Sequence, residues 1–194
     1  MASLSDFIVS KVRVKLLKIF FEDSKEMYHV RGLVRQTGEE INAVRRELAR
    51  MEEAGMVRKE PRGNRLYYWA RADYPFFPEL LNMVCKTTAL GLAIRGNRGK
   101  LGKISFVMFS GEFARNLDRK TNDQVDVLVV GDVVLPELAS LVRQEEAKRK
   151  KEINYTPMTK DEFEFRKTRR DPFILSILQG SRVMIIGDEQ SFVS

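Results

Sequence analysis

The sequence predicts a two-domain chain: an α+β half over residues 1–77, an α/β half over residues 101–194, and a mainly helical stretch over 78–100 between them. Three observations carry this. In the first half, apolar residues recur at helical spacing and are followed by two β-prone runs around a turn sequence. In the second half, apolar runs of strand length alternate with helical segments, the pattern of a mixed sheet. Charge divides too: residues 1–100 hold 19 Lys/Arg against 12 Asp/Glu, whereas residues 101–194 hold 15 against 15. The net charge of +7 therefore falls in the first half, where it favours a polyanionic partner.

The elements follow in order. "SDFIVSKVRVKLLKIFFE", residues 5–22, contains no Gly or Pro, and Val14, Leu17 and Phe21 share a helix face. After the polar break "DSKEM", His29 occupies a strand position, and "HVRGLVRQTG" forms a compact helix ended by Gly38. "EEINAVRRELARMEEAG" is a longer helix with Ile41, Val44, Leu48 and Met51 inward, Glu39 and Glu40 at its positive end, and Gly55 closing it. Turning that stripe inward leaves Asn42, Arg45, Arg46 and Ala49 outside. In "MVRKEPRGNRLYYWA", the turn "PRGN" joins two strands and exposes Arg62, Asn64 and Arg65. Helix, short helix, longer helix and hairpin is the winged helix-turn-helix order, in which the third helix enters the major groove and the hairpin reaches a neighbouring phosphate or the minor groove. The expected DNA-contacting residues are Asn42, Arg45, Arg46, Arg62, Asn64 and Arg65.

"SKVRVKLLKIFF", "LARMEEAGMVRKEPRGNRLYYWA" and "DYPFFPELLNMVCKT" resemble the ArsR-type winged-helix domain of prokaryotic regulators, over roughly residues 5–88. That resemblance implies double-stranded DNA as partner, a homodimer, and a linker and dimer helix over residues 78–100. Metal sensors of the type use clustered Cys and His; this chain has one of each, Cys85 and His29, so no metal site is expected. A lone cysteine also excludes an internal disulfide framework and suits a reducing cytosol. No apolar run approaches the ~20 residues that span a bilayer, and the N-terminus has no secretion-signal pattern. The expectation is a cytoplasmic protein without a membrane partner.

Across "PELLNMVCKTTALGLAIRGNRGK", residues 78–100, Leu80, Leu81, Val84 and Leu92 are the expected packing positions. "KISFVMF" and "DVLVV" then read as strands, "VLPELASLVRQEEAKRKK" as a helix begun by Pro136, and "EINYTPMT" and "RVMIIG" as strands separated by the helical "KDEFEFRKTRRDPFILSILQG". This half resembles the minimal nucleotidyltransferase domain, a small relative of the DNA polymerase β fold. In that family a strand ends in Gly-Ser and the next carries Asp-x-Asp. Alternate strand residues share a face, so two such carboxylates bind paired magnesium ions. Here "GEFAR" stands for the family's "GSYAR" and "DQVDVLVVGD" for "SDIDLLVVGD". Gly111 keeps the turn, Glu112 replaces the serine, Gln124 replaces the first aspartate, and Asp126 remains. Asn154 matches the third acid, with Glu152 a weaker candidate.

A carboxylate where a triphosphate would lie and an amide where a metal ligand should be imply a vestigial nucleotide and metal site at Gly111, Glu112, Gln124, Asp126 and Asn154. No catalytic residue, metal or cofactor is assigned. The expected function is a DNA-binding transcriptional regulator whose catalytically degenerate nucleotidyltransferase-like domain senses a nucleotide effector, dimerises or docks a protein partner. The alternatives are an active nucleotidyltransferase and an antitoxin-like partner of a HEPN-type toxin.

Overall fold

A computed structural model describes residues 3–194 as a mixed α/β chain with two sheets and, among the described residues, ten α-helices. It divides into two compact units, Met1–Thr87 and Thr88–Ser194.

In the first unit a single 3-10 turn, Leu4–Asp6, precedes α1, Lys11–Glu22. The helix starts later than the apolar run at residue 5 because Ser10 is its N-cap, its Oγ accepting from Arg13 N at 3.2 Å. Strand β1 (Tyr28–His29) leads into α2 (Val30–Thr37), ended by Gly38 at φ 66. Helix α3 (Ile41–Glu53) follows, then β2 (Val57–Arg62), β3 (Arg65–Ala70) and α4 (Phe77–Thr87). The hairpin turn is only Gly63 and Asn64, closed by the pair Arg62↔Arg65, with Gly63 at φ 59 where most side chains would be strained. The sheet is antiparallel, in order β1-β3-β2. Its helices bury Leu16, Phe20, Leu33, Leu48 and Met51 completely, and Phe21 packs on Phe77 with ring centroids 4.9 Å apart. Glu47 of α3 is buried with them, held by the Arg13 guanidinium, by Ser10 Oγ–H at 3.0 Å and by Arg50 at 3.8 Å.

The second unit runs α5 (Ala89–Gly96), β4 (Gly102–Ser110), the single-turn α6 (Gly111–Ala114), β5 (Val127–Val133) and α7 (Leu135–Arg149). It continues with β6 (Tyr155–Met158), α8 (Lys160–Thr168), α9 (Pro172–Gln179), β7 (Arg182–Ile186) and α10 (Glu189–Val193). The sheet order is β6-β5-β4-β7, with β5 and β6 parallel and the other pairs antiparallel. The run Val127–Val130 is buried throughout, as a central strand covered on both faces requires. Gly131 stands at φ 142 against β4; a Cβ there would lie 2.2 Å from the Lys103 carbonyl oxygen.

Three elements differ from the sequence expectation. The stretch 78–100 is two helices parted at Thr88, one in each unit; Leu90 and Ile94 turn inward and Leu92 outward. The boundary also moves charge: residues 1–87 carry 16 Lys/Arg against 12 Asp/Glu and residues 88–194 carry 18 against 15, so both units are basic and the excess is not confined to one. The helical stretch before β7 breaks into α8 and α9 because Asp171 Oδ1 caps a new helix, accepting from Phe173 N at 2.9 Å ahead of Pro172. The C-terminal α10 was not expected; Phe192 is fully buried between Phe106 and Phe163, ring centroids 5.4 and 5.1 Å away. Among the described residues no helix is long and apolar enough to cross a membrane.

Candidate nucleic-acid interface and ligand cavity

In the first unit the β1–α2 junction is set by His29, whose Nδ1 accepts the Gly32 N–H at 3.0 Å and whose ring stands edge-on to Tyr67, centroids 5.8 Å apart. Between this junction, α3 and the hairpin lies a groove of about 630 Å³ lined by His29, Arg31, Arg45, Asn64, Arg65 and Tyr68, among others. Arg31, Arg45 and Arg65 are exposed, and among the described residues none of the three carries an ion pair. Three uncommitted guanidiniums in one groove form a surface suited to a polyanion.

The six residues expected from the sequence are all exposed, but they are not equivalent. Arg45, Asn64 and Arg65 share the groove, while Asn42 and Arg46 lie on α3 outside its lining. Arg62 is already engaged: it pairs with Glu60 at 3.1 Å and lies over the Tyr67 ring, 5.7 Å from the centroid. Sequence reasoning missed Arg31, because the α2 periodicity places it on a helix without showing which neighbour it faces. The two acids at the start of α3 have local duties. Glu39 is neutralised by Lys15 at 2.6 Å, and Glu40 is the N-cap, accepting from Asn42 N at 2.8 Å and Ala43 N at 3.0 Å. The Asn42 N–H is the main cause holding the Glu40 carboxyl below its usual range.

In the second unit the five expected residues come together, but not as a strand pair. Gln124 and Asp126 both precede β5, and Asn154 precedes β6, so the alternation of a regular strand does not govern them. Gln124 Nε2 donates to Glu112 Oε2 at 2.8 Å, and Gln124 Oε1 accepts from Lys120 N at 2.8 Å. Lys120 Nζ closes the network on Glu112 Oε1 at 2.9 Å. Gly111 donates its N–H to Ser181 O at 2.7 Å, and a Cβ there would strike the Ser181 hydroxyl, which is why the turn needs glycine. Asp126 Oδ2 accepts from Asn154 N at 2.8 Å and lies 3.5 Å from Arg119, while Asn154 Nδ2 donates to Gln124 O at 3.1 Å.

The two side chains aligned with the metal-binding pair face different spaces. Glu112 and Gln124 line a cavity of about 720 Å³ with Ser110, Met108, Phe173 and Ile177 among its walls. Asp126 instead borders a recess of about 10 Å³ beside Phe113, Arg149, Lys151 and Glu152. The expectation that positions 124 and 126 point to one face is therefore corrected: without the pleat, each side chain follows its own hydrogen bonds. Among the described residues, no three His, Cys, Asp or Glu side chains are grouped to hold a metal ion.

Burial works against the Glu112 carboxylate, but the Lys120 hydrogen bond, its own backbone N–H and Gln124 together hold its pKa below the usual value. For Asp126 the balance reverses. Burial outweighs the Asn154 N–H and the charges of Arg119, Lys151 and Arg149, and its pKa is raised. A raised acid binds its proton more tightly in the folded state, so ionised Asp126 lowers stability above its folded pKa, and this cost disappears as pH falls below the unfolded value. Asp126→Asn is accordingly expected to raise Tm at pH 7, with the gain shrinking as pH falls toward the ordinary carboxylate range. Thermal unfolding of both proteins across pH 4–7 checks this; a loss of stability at pH 7 would refute it.

Comparison with protein families, with curated proteins and with solved structures returns no match to this chain.

Proposed function

We propose that this chain is a DNA-binding transcriptional regulator. In this reading the first unit is a winged helix-turn-helix domain of ArsR type, and the second is a nucleotidyltransferase-like domain that has lost its chemistry. The observation that carries the first half is the groove in which Arg45 of α3, Asn64 and Arg65 of the hairpin and Arg31 of α2 converge. A recognition helix and a wing presenting unpaired guanidiniums to one space suit base edges and the phosphates beside them. The mixed sheet, with β6 parallel to β5 and β4 antiparallel to it, is compatible with the second half of the reading, as is the turn at Gly111 between β4 and β5. The sequence match puts Glu112 and Gln124, which hydrogen-bond to one another, where the family has its serine and first aspartate. The protein acts in the cytoplasm as a homodimer.

Selection of bound sequences from a random duplex library with the full chain is expected to return a defined, two-fold-symmetric site. Recovery of random sequence would refute specific recognition. The same protein, given magnesium or manganese and labelled ribonucleotides, is expected to transfer no label to DNA, tRNA or protein. Transfer abolished by Asp126→Ala would show that the second unit is an enzyme.

A further inference from the structure

We propose that the cavity of the second unit binds a phosphate-free heteroaromatic compound of nucleobase or nucleoside size, through an edge where a ring nitrogen stands beside an amino group. This rests on reading that unit as a sensor rather than an enzyme. The cavity volume, about 720 Å³, falls within the ~300–1,000 Å³ of small-molecule sites. Its walls include Met108, Val125, Phe173 and Ile177, a thioether, an aromatic ring and aliphatic groups that suit a flat ring.

The polar groups select the edge. Glu112 accepts from Lys120 Nζ at 2.9 Å, from Gln124 Nε2 at 2.8 Å and from its own backbone N–H. A carboxylate offers about four acceptor sites, so one remains for an amino group. Ser110, only 7% exposed, uses its hydroxyl oxygen to accept from Phe113 N at 3.2 Å, and among the described residues no group accepts its proton. Ser110 lines the cavity, so its hydroxyl is free to donate to a ring nitrogen bound there. Adenine and cytosine both carry such a nitrogen beside an amino group.

Charge argues against phosphate. Glu112 and Asp123 both line the cavity, and the cation there, Lys120, is already paired with Glu112. A triphosphate would meet carboxylates in a partly desolvated space, where repulsion is least screened.

Calorimetric titration of the full chain tests the proposal with adenosine, cytidine, ATP and purine riboside, which has the adenosine ring without its amino group. Adenosine and cytidine are expected to bind. Purine riboside is expected to bind about tenfold more weakly than adenosine, through loss of a hydrogen bond to a charged acceptor. ATP is expected to be weaker than adenosine by at least a similar factor. Glu112→Gln should bring adenosine down to the level of purine riboside and narrow the gap to ATP. Ser176→Trp, an exposed α9 position on the cavity lining, should abolish nucleoside binding without lowering Tm, and so serves if the first variant folds poorly. The proposal is overturned by ATP binding tighter than adenosine, by no heat with either nucleoside, or by unchanged selectivity in a folded Glu112→Gln protein. Loss of nucleoside binding alone leaves the regulator reading intact, whereas label transfer from a nucleotide would overturn the sensor reading on which it rests.

Discussion

The full chain carrying Arg45→Ala together with Arg65→Ala is expected to lose 100-fold or more of its affinity for a selected duplex, about 3 kcal/mol for the pair if one contact is bidentate to a base. The two changes act differently. Arg45 lies on α3, the helix read as entering the major groove, so its loss should relax preference at one position of each half-site. Arg65 opens β3 at the hairpin tip, so its loss should weaken all sequences evenly and reduce the slope of log affinity against log salt by about 0.9 per phosphate contact. Arg62→Ala is the internal control. Its guanidinium is shared with Glu60 and the Tyr67 ring, so its effect should be smaller than that of Arg65→Ala. Binding isotherms at several salt concentrations against matched and single-mismatch duplexes measure all three. If Arg62→Ala costs more than Arg65→Ala, the groove is not the DNA-facing surface.

The second large effect is on stability. Glu47 is 3% exposed in the first unit's core, and its principal partner is the Arg13 guanidinium of α1. Removing one partner of a buried ion pair leaves a charge that neither water nor protein neutralises, and such losses run to about 3–5 kcal/mol. Arg13→Ala is expected to cost about 3 kcal/mol, the lower end, because Ser10 Oγ–H still donates to Glu47 and Arg50 stands 3.8 Å away. Adding Glu47→Gln to the Arg13→Ala protein should recover part of that loss, since the orphaned charge disappears. Urea unfolding of the two single variants and the double variant gives the coupling. A double variant less stable than Arg13→Ala alone would show that Ser10 and Arg50 still compensate the carboxylate, and that its charge does not depend on Arg13.

Much of the architecture is written locally. The glycine at φ 66 that ends α2, the hairpin around Gly63, the proline that begins α7 and the buried apolar run of β5 each depend on neighbours a few residues away. Their residue types alone therefore indicated where chain direction changes and which segments are helix or strand. That Gly111, Glu112, Gln124, Asp126 and Asn154 are neighbours was also legible, because the strand–turn–strand pattern brings both sides of the loop to one end of the sheet.

What that cluster does was decided by the tertiary structure. Periodicity assigns a side chain to a face only while the chain stays in a regular element, and Gln124 and Asp126 lie just before β5 begins. There each side chain goes where its partners are, toward Glu112 in one case and toward Asn154 and Arg119 in the other. Arg31 joins Arg45 and Arg65 for a similar reason: a helix shows its own faces, but which neighbour a face meets depends on packing between elements. The Arg13–Glu47 pair, 34 residues apart, and the split of residues 78–100 at Thr88 belong to the same class. The sequence by itself determined most of the elements and the residues available to a site, but not α10 or the breaks at Thr88 and Asp171; tertiary packing decided which of those residues share a space, because burial and pairing between distant segments leave no local pattern to read.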